Sequence, residues 1–289
     1  MKKLGLSLLC ALALTFTAVS LLMAAPITVV DDGGATVTLP RPPRRIVSLT
    51  PAVTEMLFAV GAGPRVVGGT TADDYPPAAL KLARIGGWSP SYEKIVAIRP
   101  DLAVVDDTAE AAAAVRLRSL HIPVLVIRPV TVAAIEADLT LIGRATGNAV
   151  GAGAAMRSME TKLREASTLA RRDRARPRVL PLIGHDPLFV AGSGTFIDDA
   201  VRRAGGVNVA GSIHGYSEYS PEAALASHPD IILAGPDDVQ ALTQTPALRA
   251  MAAVRARRFA LIDPALLQRP GPRIADGVLA LARALHPGR

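Results

Sequence analysis

Cysteine is almost missing from this chain of 289 residues. The single one, Cys10, lies inside an uncharged N-terminal run. Disulfides and thiolate chemistry are therefore excluded from everything downstream of that run. Aromatics are nearly as scarce, at 3% of the residues, with one Trp, four Tyr and five Phe. No stretch of Lys and Arg is interleaved with aromatics, so a nucleic-acid surface is not expected. A catalytic constellation is missing as well. Ser193 is followed directly by Gly194, outside a nucleophile-elbow context. Gly61-Ala-Gly63 runs into a strand rather than out of one. Gly192-Ser-Gly-Thr195 precedes a helix like a phosphate loop but is too short and lacks the Lys. The five His are scattered without metal-ligand spacing. These absences favour a binding protein over an enzyme.

The N-terminus has the form of an export signal. Lys2 and Lys3 precede the apolar run Leu4 to Ala25, which ends in Met23-Ala-Ala-Pro26. A cleaved secretory signal over residues 1–25 is expected, with a retained membrane tether as the rival. Loss of Lys2 and Lys3 takes the formal charge from +7 to +5. About 264 residues then remain, enough for two ordinary domains.

Beyond the signal, apolar strand runs alternate with helical stretches. Strands are expected at Ile46–Leu49, Val66–Gly69, Leu102–Val105, Val124–Ile127, Val179–Ile183, Ile231–Ala234 and Phe259–Ile262. This alternation predicts an α/β protein with parallel sheets covered by helices. Between Asn148 and Arg172, Ala152, Met156, Met159, Leu163, Ala166 and Ala170 recur at spacings of three and four. They mark one long helix. We expect an N-terminal lobe over 26–147, a connecting helix over 148–172 and a C-terminal lobe over 173–289. A cleft between lobes joined by a single helix is expected to be largely pre-formed.

An internal repeat supports two similar lobes. Glu93-Lys-Ile-Val-Ala-Ile-Arg-Pro-Asp101 and Glu222-Ala-Ala-Leu-Ala-Ser-His-Pro-Asp230 each read Glu, six residues, Pro-Asp, then an apolar run. Each Glu follows a Ser able to cap a helix. Helix-dipole stabilisation of about 0.3–1 kcal/mol accounts for one such Glu. It does not account for the same residue opening the equivalent unit twice. A partner with two basic pockets does, since coupled charge pairs across an interface reach roughly 1.5–7 kcal/mol.

The few aromatics gather in loops that belong at strand ends, where parallel α/β domains bind ligands. Tyr75 lies in Asp73-Asp-Tyr-Pro-Pro77, Trp88 in Gly86-Gly-Trp-Ser-Pro90, and Tyr216 in Gly215-Tyr-Ser-Glu-Tyr219. His185-Asp-Pro-Leu-Phe189 follows another strand. Its His185 is a candidate ligand contact and its Phe189 a packing partner. His185 with Asp186 also frames the rival reading, a secreted metal-dependent hydrolase.

Several motifs together resemble one family. They are Arg45-Ile-Val-Ser-Leu-Thr-Pro-Ala-Val-Thr-Glu55, Asp74-Tyr-Pro-Pro77, Gly86-Gly-Trp88, the Glu93-to-Asp101 unit, Gly192 through Asn208, and Arg269-Pro-Gly-Pro-Arg273. In order and spacing the chain resembles the substrate-binding proteins of bacterial importers for vitamin B12, iron-siderophores and heme, and within them the vitamin B12-binding proteins. The resemblance implies two α/β lobes joined by a helix and a corrinoid (cobalamin) held edge-on in the cleft, without a resident cofactor or metal. It implies ligand contact by Tyr75, Trp88, Phe189 and Tyr216. It also implies docking of Glu93 and Glu222 on arginines of an ABC permease in the membrane. A monomer in the periplasm is expected. Three departures stand out. Tyr216 replaces an expected Trp, the Trp88 loop is one residue shorter, and the spacing from Asp263 to Pro272-Arg273 differs. Heme relatives tend to place an iron-ligating Tyr in the loop that here carries Trp88, so a heme cargo would use Tyr75, Tyr216 or His185; an Fe-siderophore is the other alternative cargo within the class.

Overall fold

The computed structural model describes residues 25–87, 89–172 and 176–287. The expected signal with Cys10, and Trp88, fall outside them. Among the described residues no helix is long and apolar enough to cross a membrane.

A hairpin comes first, β1 (Ile27–Val30) against β2 (Thr36–Leu39). Asp31 Oδ1 accepts the Ala35 N–H at 2.7 Å to close its turn, and Gly34 supplies the φ of 80°. The first sheet follows, with β3 (Ile46–Ser48), β4 (Val66–Gly69), β5 (Ala83–Arg84), β6 (Leu102–Asp106) and β7 (Val124–Ile127). Its order is β5-β4-β3-β6-β7 and every pair is parallel. Strands β6 and β7 are buried throughout, so they read as unbroken apolar runs rather than alternating ones. Helices α1 (Pro51–Ala59), α2 (Tyr92–Ile98), α3 (Asp107–Ser119) and α4 (Val132–Ala145) connect or cover these strands.

Helix α5 (Ala149–Arg172) leads to the second sheet. That sheet contains β8 (Arg178–His185), β9 (Leu188–Ala191), β10 (Val207–Asn208), β11 (Tyr216–Glu218), β12 (Ile231–Ala234) and β13 (Phe259–Leu261). The order is β11-β9-β8-β12-β13, with β10 beside the start of β8. Around it lie α6 (Phe196–Arg203), α7 (Pro221–Ala226), α8 (Asp238–Gln244), α9 (Pro246–Arg249), α10 (Ala252–Arg255), α11 (Pro264–Leu267) and α12 (Ile274–Leu285). Unlike the first sheet it is mixed, because β9 runs antiparallel to both β8 and β11. Only Asp186 and Pro187 separate β8 from β9. A connection that short can return the chain only antiparallel, since a parallel return needs a crossover of a dozen residues or more.

Helix α5 packs on both halves of the molecule. It lies against α4 and α1 on one side and against α12 and α6 on the other. Ala152, Met159 and Ala166 are its buried positions. The core cluster containing them runs from Val29 in β1 to Leu285 in α12 without a break. The two sheets therefore share one apolar interior across the connector.

The repeated sequence unit has a common structural meaning. Asp101 accepts the backbone N–H of Arg44 at 2.7 Å and of Arg45 at 2.8 Å, while Asp230 accepts that of Arg178 at 2.9 Å. Arg45 then donates to the Ile98 carbonyl at 2.7 Å, and Arg178 donates to the Ser227 carbonyl at 2.8 Å. Arg99 and His228, each just before the Pro, take left-handed φ values of 52° and 42°. In both lobes, then, an Asp and an Arg tie the end of a helix to the start of a central strand.

Candidate functional site

The C-terminal ends of β3, β4 and β6 open into a cavity of about 390 Å³ between the lobes. Its floor is Leu49–Ala52 at the start of α1, Thr70–Ala72 after β4, and Asp106 with Ala109 at the start of α3. The opposite wall is Gln268, Arg269 and Pro270, from the segment between α11 and α12. This is the strand-end location expected of a ligand site in a parallel α/β sheet.

Local chemistry explains why these loops hold their shape. Thr50 Oγ1 caps α1 by accepting the Val53 N–H at 3.3 Å, and Pro51 occupies the first helical position, where no N–H is needed. Asp73, 1% exposed, accepts the Thr70 N–H at 3.0 Å, the Thr70 hydroxyl at 2.6 Å and the Thr54 hydroxyl at 2.6 Å. A Cβ on Gly69 would meet Asp73 Oδ2 at 2.2 Å, so only glycine fits there. Asp106 caps α3, its Oδ1 accepting the Thr108 N–H at 3.0 Å and the Thr108 hydroxyl at 2.6 Å. Burial pushes the Asp106 carboxyl above its ordinary range, against the Thr108 hydrogen bonds.

Beside the cavity a buried ion network joins the lobes. Glu55 on α1 is 2% exposed and accepts Arg273 Nε at 2.8 Å and Nη2 at 2.6 Å. Arg269 Nη1 approaches the same carboxylate at 3.5 Å. It also pairs bidentately with Asp74, one bond being Nη2 to Oδ2 at 3.0 Å. The Arg269 hydrogen bond holds the Asp74 carboxyl below the usual range, and Glu55 raises the Arg273 guanidinium. Both arginines come from the C-terminal half, and both carboxylates from the N-terminal half.

The sequence-predicted residues distribute as follows. Tyr216 on β11 is 45% exposed and meets Phe196 edge-on, centroids 6.3 Å apart. Desolvation raises its phenol above the ordinary range, and the Asp106 carboxyl across the cleft raises it further. Phe189 on β9 is half-buried. Register puts Tyr216 opposite Ala191 and Glu218 opposite Phe189, so Phe189 and Tyr216 share one face of the ribbon. Tyr75 is brought elsewhere. Its ring lies 4.0 Å under the Arg273 guanidinium, and it lines a second hollow of about 400 Å³ against α5, with Phe58 and Met159. His185 is placed apart from both. Its Nδ1 is 2.7 Å from Asp238 Oδ1, and it lines a hollow with Tyr219 and Pro221. Among the described residues no group of three His, Cys, Asp or Glu is arranged to hold a metal ion. Glu93 and Glu222 are exposed in the first turns of α2 and α7. Ser91 caps Lys94 N at 3.4 Å, Ser220 caps Ala223 N at 3.1 Å, and neither Glu forms an ion pair among the described residues.

The sequence did not mark the roles of four residues, Glu55, Asp106, Arg269 and Arg273. Glu55 stands in the apolar run Ala-Val-Thr-Glu-Met-Leu, a signal that a buried charge needs a partner. Arg269 and Arg273 stood in a quoted motif, but nothing local said they reach Glu55. Asp106 ends an apolar strand and precedes a helix, a recognisable cap whose exposure to the cleft is a tertiary fact.

Comparison with known proteins agrees with this architecture. A family model described as periplasmic binding protein matches residues 46–266. An uncharacterised ABC transporter substrate-binding lipoprotein of Bacillus subtilis is 28% identical over 91% of this chain and 86% of its own. The vitamin B12-binding protein of Salmonella typhimurium is 34% identical over 66% of this chain and 72% of its own. A periplasmic heme-binding protein from Roseiflexus, solved in apo form, superposes with a TM-score of 0.76 at 30% identity, covering 84% of this chain and 98% of its own.

Proposed function

The chain belongs to the periplasmic binding protein family, and from that premise we propose that it serves an ABC importer by carrying a corrinoid such as cobalamin to the membrane permease. The observation that carries this reading is the inter-lobe cleft at the strand ends. Its lining offers apolar surface with the neutral polar groups of Thr50, Thr71 and Gln268. A cavity of about 390 Å³ accepts the edge of a planar macrocycle and leaves its periphery to the lobe rims. The 34%-identical vitamin B12-binding relative supports the corrinoid. Exposed, unpaired Glu93 and Glu222 at equivalent helix starts support docking on a permease with two basic pockets.

Heme is the second reading, favoured by the heme-binding structural neighbour. An iron-bound phenolate at Tyr216 would have to form beside the Asp106 carboxyl, which opposes that negative charge. A neutral phenol there suits hydrogen bonding to an amide. The test is colour. Mature protein mixed with cyanocobalamin and desalted should elute pink with one equivalent bound. Colourless protein that takes up hemin with a sharp Soret band would overturn the corrinoid assignment.

A further inference from the structure

Charge around the cleft is lopsided. Arg269 is the one cationic side chain among the described residues of the lining, and Asp74 and Glu55 already occupy it. Asp106 is the one acidic group of that lining and is 2% exposed. Its Oδ1 is taken by Thr108 and the Ala109 N–H also favours the ionised carboxyl, while no side-chain donor reaches Oδ2 among the described residues. On the other lobe, burial first and the Asp106 charge second raise the Tyr216 phenol above its ordinary range. The starts of α1 and α3 also open here and would otherwise draw an anion. At α3 the cap is Asp106 itself, so the carboxylate already fills the place an anionic ligand would take.

We propose that Asp106 is a specificity-determining residue of the cleft: its free carboxylate oxygen accepts an N–H from the cargo's periphery and turns away cargo bearing carboxylates. The chemical class selected is a macrocycle edged with neutral primary amides, as against one edged with acids. An amide N–H donates to Oδ2. A carboxylate at the same point donates nothing, and the neutralised Arg269 offers it no compensation. Discrimination against a group that leaves a buried acceptor unpaired and brings like charge beside it is expected to be large. This inference rests on the corrinoid reading for its natural cargo, although the selection itself is a property of the cleft.

The experiment compares cyanocobalamin with its monocarboxylates, made by hydrolysing one peripheral amide, by equilibrium dialysis at constant pH and salt. The native protein should prefer the intact amide form by about tenfold or more over at least one monocarboxylate. Asp106→Asn should bring that ratio to within about twofold, mainly by gaining carboxylate affinity. Asp106→Ser, which also caps a helix, should do the same, which separates loss of charge from damage to α3. An unchanged ratio in both folded variants, or a native protein that binds amide and acid forms alike, overturns the proposal. Should the native protein take hemin and no corrinoid, the corrinoid reading fails by itself. The same ratio, measured between hemin and its propionate diamide, then decides the role of Asp106.

Discussion

Glu55 is a buried carboxylate that two arginines from the other half of the chain surround. Exchanging it for Gln leaves Arg273, 18% exposed, without its bidentate partner. Removing one member of such a pair is strongly destabilising, because the remaining charge stays desolvated. Glu55→Gln should lower unfolding free energy by about 2–4 kcal/mol in urea titration. Arg283→Ala removes the exposed pair with Glu165 and should change it by under about 1 kcal/mol. Asp138 on α4 behaves differently. It is 1% exposed, and burial first and the neighbouring Asp32 second push its carboxyl up to about 9. Folded protein thus keeps the proton at neutral pH while the unfolded chain, near 3.8, loses it. The stability tied to this group is complete below about pH 4 and falls as pH rises toward 9. Asp138→Asn should therefore melt higher than the native protein at pH 8, by the equivalent of roughly 1–4 kcal/mol, and lose that advantage by pH 4 in calorimetric scans. Neither residue's weight was legible locally. Sequence shows the carboxylate, and only packing shows what is left beside it.

Single elements were much more legible. The runs Val66–Gly69, Val124–Ile127 and Ile231–Ala234 are strands with those bounds, because buried parallel strands are continuous apolar segments. The connector's period predicts a helix over 148–172, and the helix runs over Ala149–Arg172, where its three buried side chains fall on one face. Short pairings were not visible: β10 and β11 lack an apolar run of their own, and β9, although apolar, lies within what reads as a ligand loop. Two glycines of α5 separate packing from propensity. A Cβ at Gly151 would sit 2.1 Å from the Val60 carbonyl oxygen, which is backbone and cannot yield. At Gly153 it would meet only the end of the Arg157 side chain, at 3.3 Å. Gly151→Ala should cost about 1–3 kcal/mol in denaturant midpoint measurements, and Gly153→Ala should add about 0.5–1 kcal/mol of stability.

At the level of the whole molecule, the lobes are held by α5, by a common core and by the Glu55–Arg273–Arg269–Asp74 network. Three attachments favour a cleft that changes little on loading. X-ray scattering of empty and loaded protein should give radii of gyration within about 1 Å. The paired glutamates belong to this scale too. Changing Glu93 and Glu222 together to Ala should leave cargo affinity within about twofold and strongly reduce uptake through a reconstituted permease. Loss of cargo binding in that double variant would refute docking. By itself the sequence determined the α/β class, the two-lobed repeat and the connector, because apolar periodicity and the Pro-Asp units are local records of burial and of strand entry. Tertiary structure alone decided the lining of the cleft. Asp106 lies across the cavity from Gln268, Arg269 and Pro270, Tyr75 stacks on Arg273, and His185 turns to Asp238, because residues distant in the chain meet only when the two sheets close on one shared core.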